Sequence, residues 1–108
     1  MELSDYQKKA MRTANKGLSD NDQLMNGVIG IGGEAGELLN KIKKHKYQGH
    51  DFSVVEIVEE LGDIMWYVAL VADSIGWNID TIAQNNIAKL EKRYPEKFTE
   101  NHSINRSV

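Results

Sequence analysis

The chain has 108 residues, 41% of them apolar and 27% charged, with 13 Lys+Arg against 16 Asp+Glu for a net charge of −3. A chain this short buries only about 60–65% of its unfolded surface, and without cysteine it has neither a disulfide framework nor a thiolate metal site, so association between copies is expected. The acidic balance lacks the basic excess of phosphate-tracking nucleic-acid binders. The opening MELSDYQKKAMRT has no apolar block of signal-peptide kind, and the longest apolar run, the nine residues Ile64 to Ala72, falls short of the roughly 20 a bilayer span needs. A cytoplasmic protein with no nucleic-acid or membrane partner is expected.

One proline, and apolar residues recurring at steps of three and four, predict an all-α chain forming one domain over residues 1–108, with its core within about 4–95. A first helix is expected from Ser4 to Lys16, with Tyr6, Ala10 and Ala14 inward and Gly17 ending it. A second runs from Asn21 to Lys46 on the stripe Leu24, Val28, Ile31, Ala35, Leu38 and Ile42. Gly27, Gly30, Gly32, Gly33 and Gly36 interrupt it, each costing about 0.8–1 kcal/mol against alanine, which a close approach to another backbone or a ligand could offset.

A polar loop from Tyr47 to Phe52 precedes Ser53 and Glu56, a capping box that opens a third helix reaching Ile75, with Gly76 stopping it. Its stripe is Val54, Ile57, Val58, Leu61, Ile64, Met65, Val68, Ala72 and Ile75. The all-round apolar block from Ile64 to Ala72 marks it as the central helix. A fourth helix is expected from Asp80 to Tyr94, with Ile79, Ala83, Ile87 and Leu90 inward and Pro95 ending it. Residues 96–108 read as a loose polar tail or a partner-contacting arm.

The charges beside these stripes are informative. Glu34, Glu37 and Lys41 each precede a core position of the second helix and so lie about 100° round from it. Glu60, Asp63 and Tyr67 stand in the same relation to the third stripe, and Asn86, Lys89 and Arg93 to the fourth. If the three helices pack together, two carboxylate pairs face each other with a basic row nearby. Carboxylates on a shared, partly dry face raise one another's pKa unless a cation neutralises them. An all-oxygen donor set favours Mg²⁺, or Mn²⁺, over Zn²⁺.

The runs GEAGELL (33–39), EELGDI (59–64) and NIAKLEKRYP (86–95) resemble the MazG-like nucleoside triphosphate pyrophosphohydrolases of the all-α NTP pyrophosphatase superfamily, over roughly residues 24–98. The resemblance implies a four-helix bundle-like MazG fold completed by oligomerisation, as a homodimer or homotetramer. It implies Mg²⁺-binding roles for Glu34, Glu37, Glu60 and Asp63, whose E-x-x-E, spacer, E-x-x-D order matches the family signature. It matches Tyr67 to an aromatic one turn beyond the last acid, and Asn86, Lys89, Arg93 and Tyr94 to the segment that contacts phosphate and nucleotide. Gly33 stands where the family often has a further acid.

Those residue types suit attack of water on the α-phosphorus of a nucleoside triphosphate, giving a monophosphate and pyrophosphate, a chemistry suited to housecleaning of a nucleotide pool. Lys89, Arg93 and either Lys41 or Lys44 would stabilise charge on phosphate oxygens, and Glu34 or Glu37 would serve as the base. Other readings are weaker. The match of residues 30–35 to G-x-G-x-x-A lacks a preceding strand, and a di-iron centre would need Glu-x-x-His pairs that the sequence does not contain. His45, His50 and His102 read as surface residues, His50 near enough to the mouth to touch a base; Trp66 and Trp77 read as core. The alternative is a non-catalytic, dimerising helical module, which would not need the acids together with Lys89 and Arg93.

Overall fold

The computed structural model describes residues 1–105, and every regular element among them is a helix: α1 (Leu3–Met11), α2 (Asp20–Gln48), α3 (Val54–Ser74), α4 (Ile79–Arg93) and α5 (Glu100–Ile104). The all-α expectation holds, with particular differences at the helix ends. The first helix stops at Met11 and not at Lys16 because the chain tightens into turns spaced by three residues: Thr13 N–H donates to Ala10 O at 3.1 Å and Ala14 N–H to Met11 O at 3.2 Å. Thr13 Oγ1 and the Trp66 indole N–H also donate to Ala10 O, at 2.7 and 3.1 Å. With that carbonyl so occupied, the regular ladder has no reason to continue.

Ser19 caps α2 by accepting from Asp22 N–H at 3.1 Å. The helix runs through Tyr47 and Gln48, residues expected in the loop, until Gly49 takes φ 73° and His50 N–H closes on Lys44 O at 3.1 Å. That left-handed residue is the stop the chain uses. Only half of the capping box of α3 forms. Ser53 accepts from Glu56 N–H at 3.3 Å, while the Glu56 carboxylate reaches out to Lys41. Gly76, also at φ 73°, turns the chain after α3, and Asn78 caps α4 through Asp80 N–H at 2.8 Å. The expected tail holds α5 and a ring cluster in which Tyr94 meets Phe98 and His102 at centroid distances of 5.2 and 6.3 Å; residues 106–108 of that tail lie outside the described residues.

α2 and α3 form an antiparallel hairpin. Gly27 lies on Val71, Gly30 on Tyr67, Glu34 beside Glu60 and Asp63, and Lys41 against Glu56. A Cβ at Gly27 would come within 2.6 Å of Val71 Cγ2, and one at Gly30 would overlap the Tyr67 ring. Close helix approach therefore explains these two glycines. Gly32, Gly33 and Gly36 face open space within the chain.

The buried core is small: Met11, Ala14, Ala69, Leu70 and Ala72, with Tyr6, Ala10, Trp66, Tyr67 and Ile79 packed around it. Trp66 joins it as expected, whereas Trp77 is half-exposed because it lies in the turn after Gly76. The buried Gln7 ties α1 to the α3–α4 corner, donating from Nε2 to Trp77 O at 2.9 Å and accepting from Ile79 N–H at 2.7 Å through Oε1.

Several residues expected inward are exposed. Val28 and Ile42 of α2, Val54, Val58, Leu61, Met65 and Ile75 of α3, and Ile87 and Leu90 of α4 find too little of their own chain to cover them. The accessible surface is 7922 Å², against about 6,100 Å² for a compact chain of this mass. The radius of gyration is 17.0 Å, where about 13 Å is ordinary. No helix among the described residues is long and apolar enough to cross a membrane.

Candidate metal centre

The α2–α3 hairpin carries the site. Glu60 and Asp63, three residues apart, share one face of α3, and Glu34 meets them from α2, one helical turn beyond the Gly30–Tyr67 contact. One carboxylate oxygen from each of Glu34, Glu60 and Asp63 lies within 4.8 Å of the others. Glu34 and Glu60 are half-buried and Asp63 is exposed.

The electrostatics of the cluster are frustrated. The Glu34 carboxyl is pushed up to about 7 from an ordinary 4.5, first by a hydrogen bond shared with Glu60, then by desolvation, then by the charges of Glu60, Asp63 and Glu37. Two carboxylates this close cannot both ionise cheaply, so a proton stays between them at acidic to neutral pH. Glu60 Oε2 is buried without a hydrogen-bond partner. Lys41 Nζ offers partial compensation, 3.9 Å from Glu60 Oε1 and 3.8 Å from Glu56 Oε1. Three convergent oxygen donors, one of them carrying an orphaned oxygen, suit a hard divalent cation.

Of the four acids expected to act together, three converge. Glu37 is exposed, about 60° round the helix from Glu34, and contributes charge to Glu34 without joining the cluster of ligand atoms. Lys41 lies against the cluster. Tyr67 packs on Gly30 and stands edge-on to Trp66 at 5.1 Å, inside the helix interface. Asn86 and Lys89 are exposed on α4, while Arg93 and Tyr94 are half-buried near its end. Lys44 and His50 line a polar cavity of about 190 Å³ with Lys41, Asp51 and Glu56.

Two features escape a reading of the sequence. Tyr6 of α1 stands close enough to Asp63 that the carboxylate charge, after burial, raises the Tyr6 hydroxyl pKa. The pairing of Lys41 with Glu56 and Glu60 depends on the register of the hairpin, for which the only sequence signal is the pair of close-approach glycines, Gly27 and Gly30.

Comparison with known proteins adds a family. A profile of the MazG nucleotide pyrophosphohydrolase domain matches residues 23–98, a span that holds every proposed site residue. The Gene 37 protein of Mycobacterium phage L5 is 39% identical over 70 residues, 61% of this chain and 61% of that protein. The chain thus spans about three-fifths of the length of this curated relative. No solved structure gives a significant match.

Proposed function

The chain belongs to the MazG nucleotide pyrophosphohydrolase family, and on that premise we propose that it hydrolyses a nucleoside triphosphate between the α- and β-phosphoryl groups, with Mg²⁺ or Mn²⁺ as cofactor. The observation that carries this reading is the convergence of Glu34, Glu60 and Asp63 with Lys41 alongside. Those three carboxylates would hold the cation. When bound, it would relieve their repulsion and polarise the α-phosphoryl group.

The chain's own groups do the rest. Water adds to the α-phosphorus as the bond to the bridging oxygen breaks, and pyrophosphate leaves with that electron pair. Glu37, outside the ligand cluster and one turn from it, accepts the proton of the water, because a carboxylate engaged with a cation is a poorer base. Lys41, Asn86, Lys89 and Arg93 hold the phosphate oxygens and Tyr94 lies against the nucleoside. Tyr67 acts as a spacer that fixes the distance between the two acidic helices. The enzyme works as a homodimer or homotetramer, which the excess accessible surface supports, and in the cytoplasm, where its substrates are made and consumed.

The decisive assay incubates canonical and modified (d)NTPs with the protein in Mg²⁺ buffer and quantifies both products. Equal amounts of monophosphate and pyrophosphate, lost on adding EDTA, are expected. Free phosphate as the first product, or turnover indifferent to chelation, would overturn the reading.

A further inference from the structure

The connection between α2 and α3 walls a polar cavity of about 190 Å³, lined by Lys41, Lys44, His50, Asp51 and Glu56. Apart from Lys41, none of these residues has a part in the chemistry proposed above. The wall is braced from its own chain. Gly49 turns at φ 73°, His50 N–H donates to Lys44 O at 3.1 Å, and His45 Nδ1–H donates to His50 O at 2.9 Å. The His45 ring also meets Phe52 edge-on at 5.2 Å. These ties hold the loop against the last turns of α2, so the cavity is shaped before a ligand arrives.

Lys41 stands between this cavity and the carboxylate cluster. Its Nζ is 3.8 Å from Glu56 Oε1 on the cavity side and 3.9 Å from Glu60 Oε1 on the cluster side. Glu56 and Glu60 are one turn apart on α3, about 5.4 Å along its axis. A nucleotide with its α-phosphoryl group at the cluster can therefore place its base in the cavity, with the sugar passing Lys41.

The lining decides what the cavity takes. Two ammonium groups, Lys41 and Lys44, are matched by two carboxylates, Asp51 and Glu56. A phosphate chain brings only acceptors and would be repelled by both acids, whereas an apolar group would strip water from all four charges and return nothing. A neutral ring with donors and acceptors along one edge satisfies them. Because Lys41 and Glu56 pair with each other, Asp51 and Lys44 are left to read that edge. A carboxylate only accepts and an ammonium only donates. Among the common bases, guanine alone has two adjacent donors, N1–H and the 2-amino group, next to a carbonyl, O6. Adenine, cytosine, uracil and thymine each turn at least one acceptor toward the carboxylate.

We propose that this cavity is a guanine subsite, in which Asp51 accepts from N1–H and the 2-amino group while Lys44 donates to O6, so that the protein prefers guanine nucleotides. The inference rests on the function proposed above and adds Asp51 and Lys44 as the residues that set base specificity.

The test uses the full chain and two readouts. Binding of the α,β-methylene triphosphates of guanosine, inosine and adenosine, which resist cleavage, is followed by calorimetry in Mg²⁺ buffer, and kcat/KM is measured for GTP, ITP, XTP and ATP. Inosine differs from guanosine only in lacking the 2-amino group. The guanosine analogue should bind at least about tenfold more tightly than the inosine analogue, with kcat/KM in the same order. Asp51 is exposed, so Asp51→Asn should keep wild-type helicity by circular dichroism. It should also turn the preference from GTP to XTP, whose 2-carbonyl accepts from the new amide, a reversal that a merely structural role would not produce. A smaller guanosine-to-inosine ratio, or an order of preference unchanged in Asp51→Asn, would overturn the inference while release of monophosphate and pyrophosphate stands. Guanine-selective binding without turnover would instead reject the proposed function and keep the subsite, and failure of all three analogues to bind would reject both.

Discussion

Gly30→Ala tests whether the approach of α2 to α3 sets the geometry of the carboxylates. The added methyl would overlap the Tyr67 ring, which is held edge-on by Trp66 and cannot retreat without moving the helix. Overpacking of this kind costs about 1–3 kcal/mol, against which alanine returns at most about 1 kcal/mol of helix propensity. With that gain in full the net loss is about 0–2 kcal/mol, and each kcal/mol lowers Tm by about 4–8 °C in a domain of this size. The contact lies one turn from Glu34 on α2 and one turn from Asp63 on α3, so a wider gap there also spreads the ligand oxygens and weakens Mg²⁺ binding. Urea denaturation at fixed protein concentration and Mg²⁺ titration by calorimetry read the two effects. Gly32→Ala is the control: its Cβ meets nothing in the chain, and it should gain about 0.8–1 kcal/mol. If Gly30→Ala stabilises the protein as much as Gly32→Ala, the helices do not approach as described.

Other substitutions address the chemistry and the frame. Asp63→Asn should lower kcat/KM by about 10²-fold or more and abolish Mg²⁺ binding, whereas Glu37→Ala should lower kcat by about 10²–10⁴-fold with Mg²⁺ affinity within twofold or so of wild type by calorimetry; a Glu37 variant that loses the metal would return that residue to the ligand set. The raised Glu34 pKa means that the folded, metal-free protein binds more protons than the unfolded chain between pH 4.5 and about 7, so this group's contribution to stability falls as pH rises through that window. Mg²⁺ should therefore raise Tm more at pH 8 than at pH 5, and binding near pH 6 should release protons, measurable in buffers of differing ionisation enthalpy; binding without proton release would contradict the shared proton. Gln7→Leu strands Trp77 O and Ile79 N–H and should cost about 2–4 kcal/mol, read as a lower urea midpoint; a midpoint unchanged within error would show that water replaces the side chain.

Local signals in the sequence predicted local structure well. Ser53 and Gly76 mark real boundaries of α3, and α2 overran its expected end because Tyr47 and Gln48 carry no breaker before Gly49 takes a left-handed turn. Periodicity was less informative about where an apolar face is buried. Ile87 and Leu90 have core spacing and yet stand in solvent, since a stripe records that a helix wants a partner without saying which chain supplies it. The acids show a similar division. Helical spacing put Glu60 and Asp63 on one face, but the meeting of Glu34 with them depends on hairpin register, and the same three-residue spacing left Glu37 outside. Tyr6 reached the neighbourhood of Asp63 through tertiary docking of α1, for which no short motif exists.

The Gln7 side chain lies upstream of the family-matched stretch and touches no proposed ligand, yet it pins the elbow from which α4 departs. A fragment trimmed to residues 23–98 would retain every group assigned to the reaction while losing that pin and the carbonyl to which the Trp66 indole is moored. The Ile79 N–H at the start of α4 would then lose its bond to Gln7. Residues upstream of the family-matched stretch thus brace the corner from which the helix carrying Asn86 and Lys89 departs.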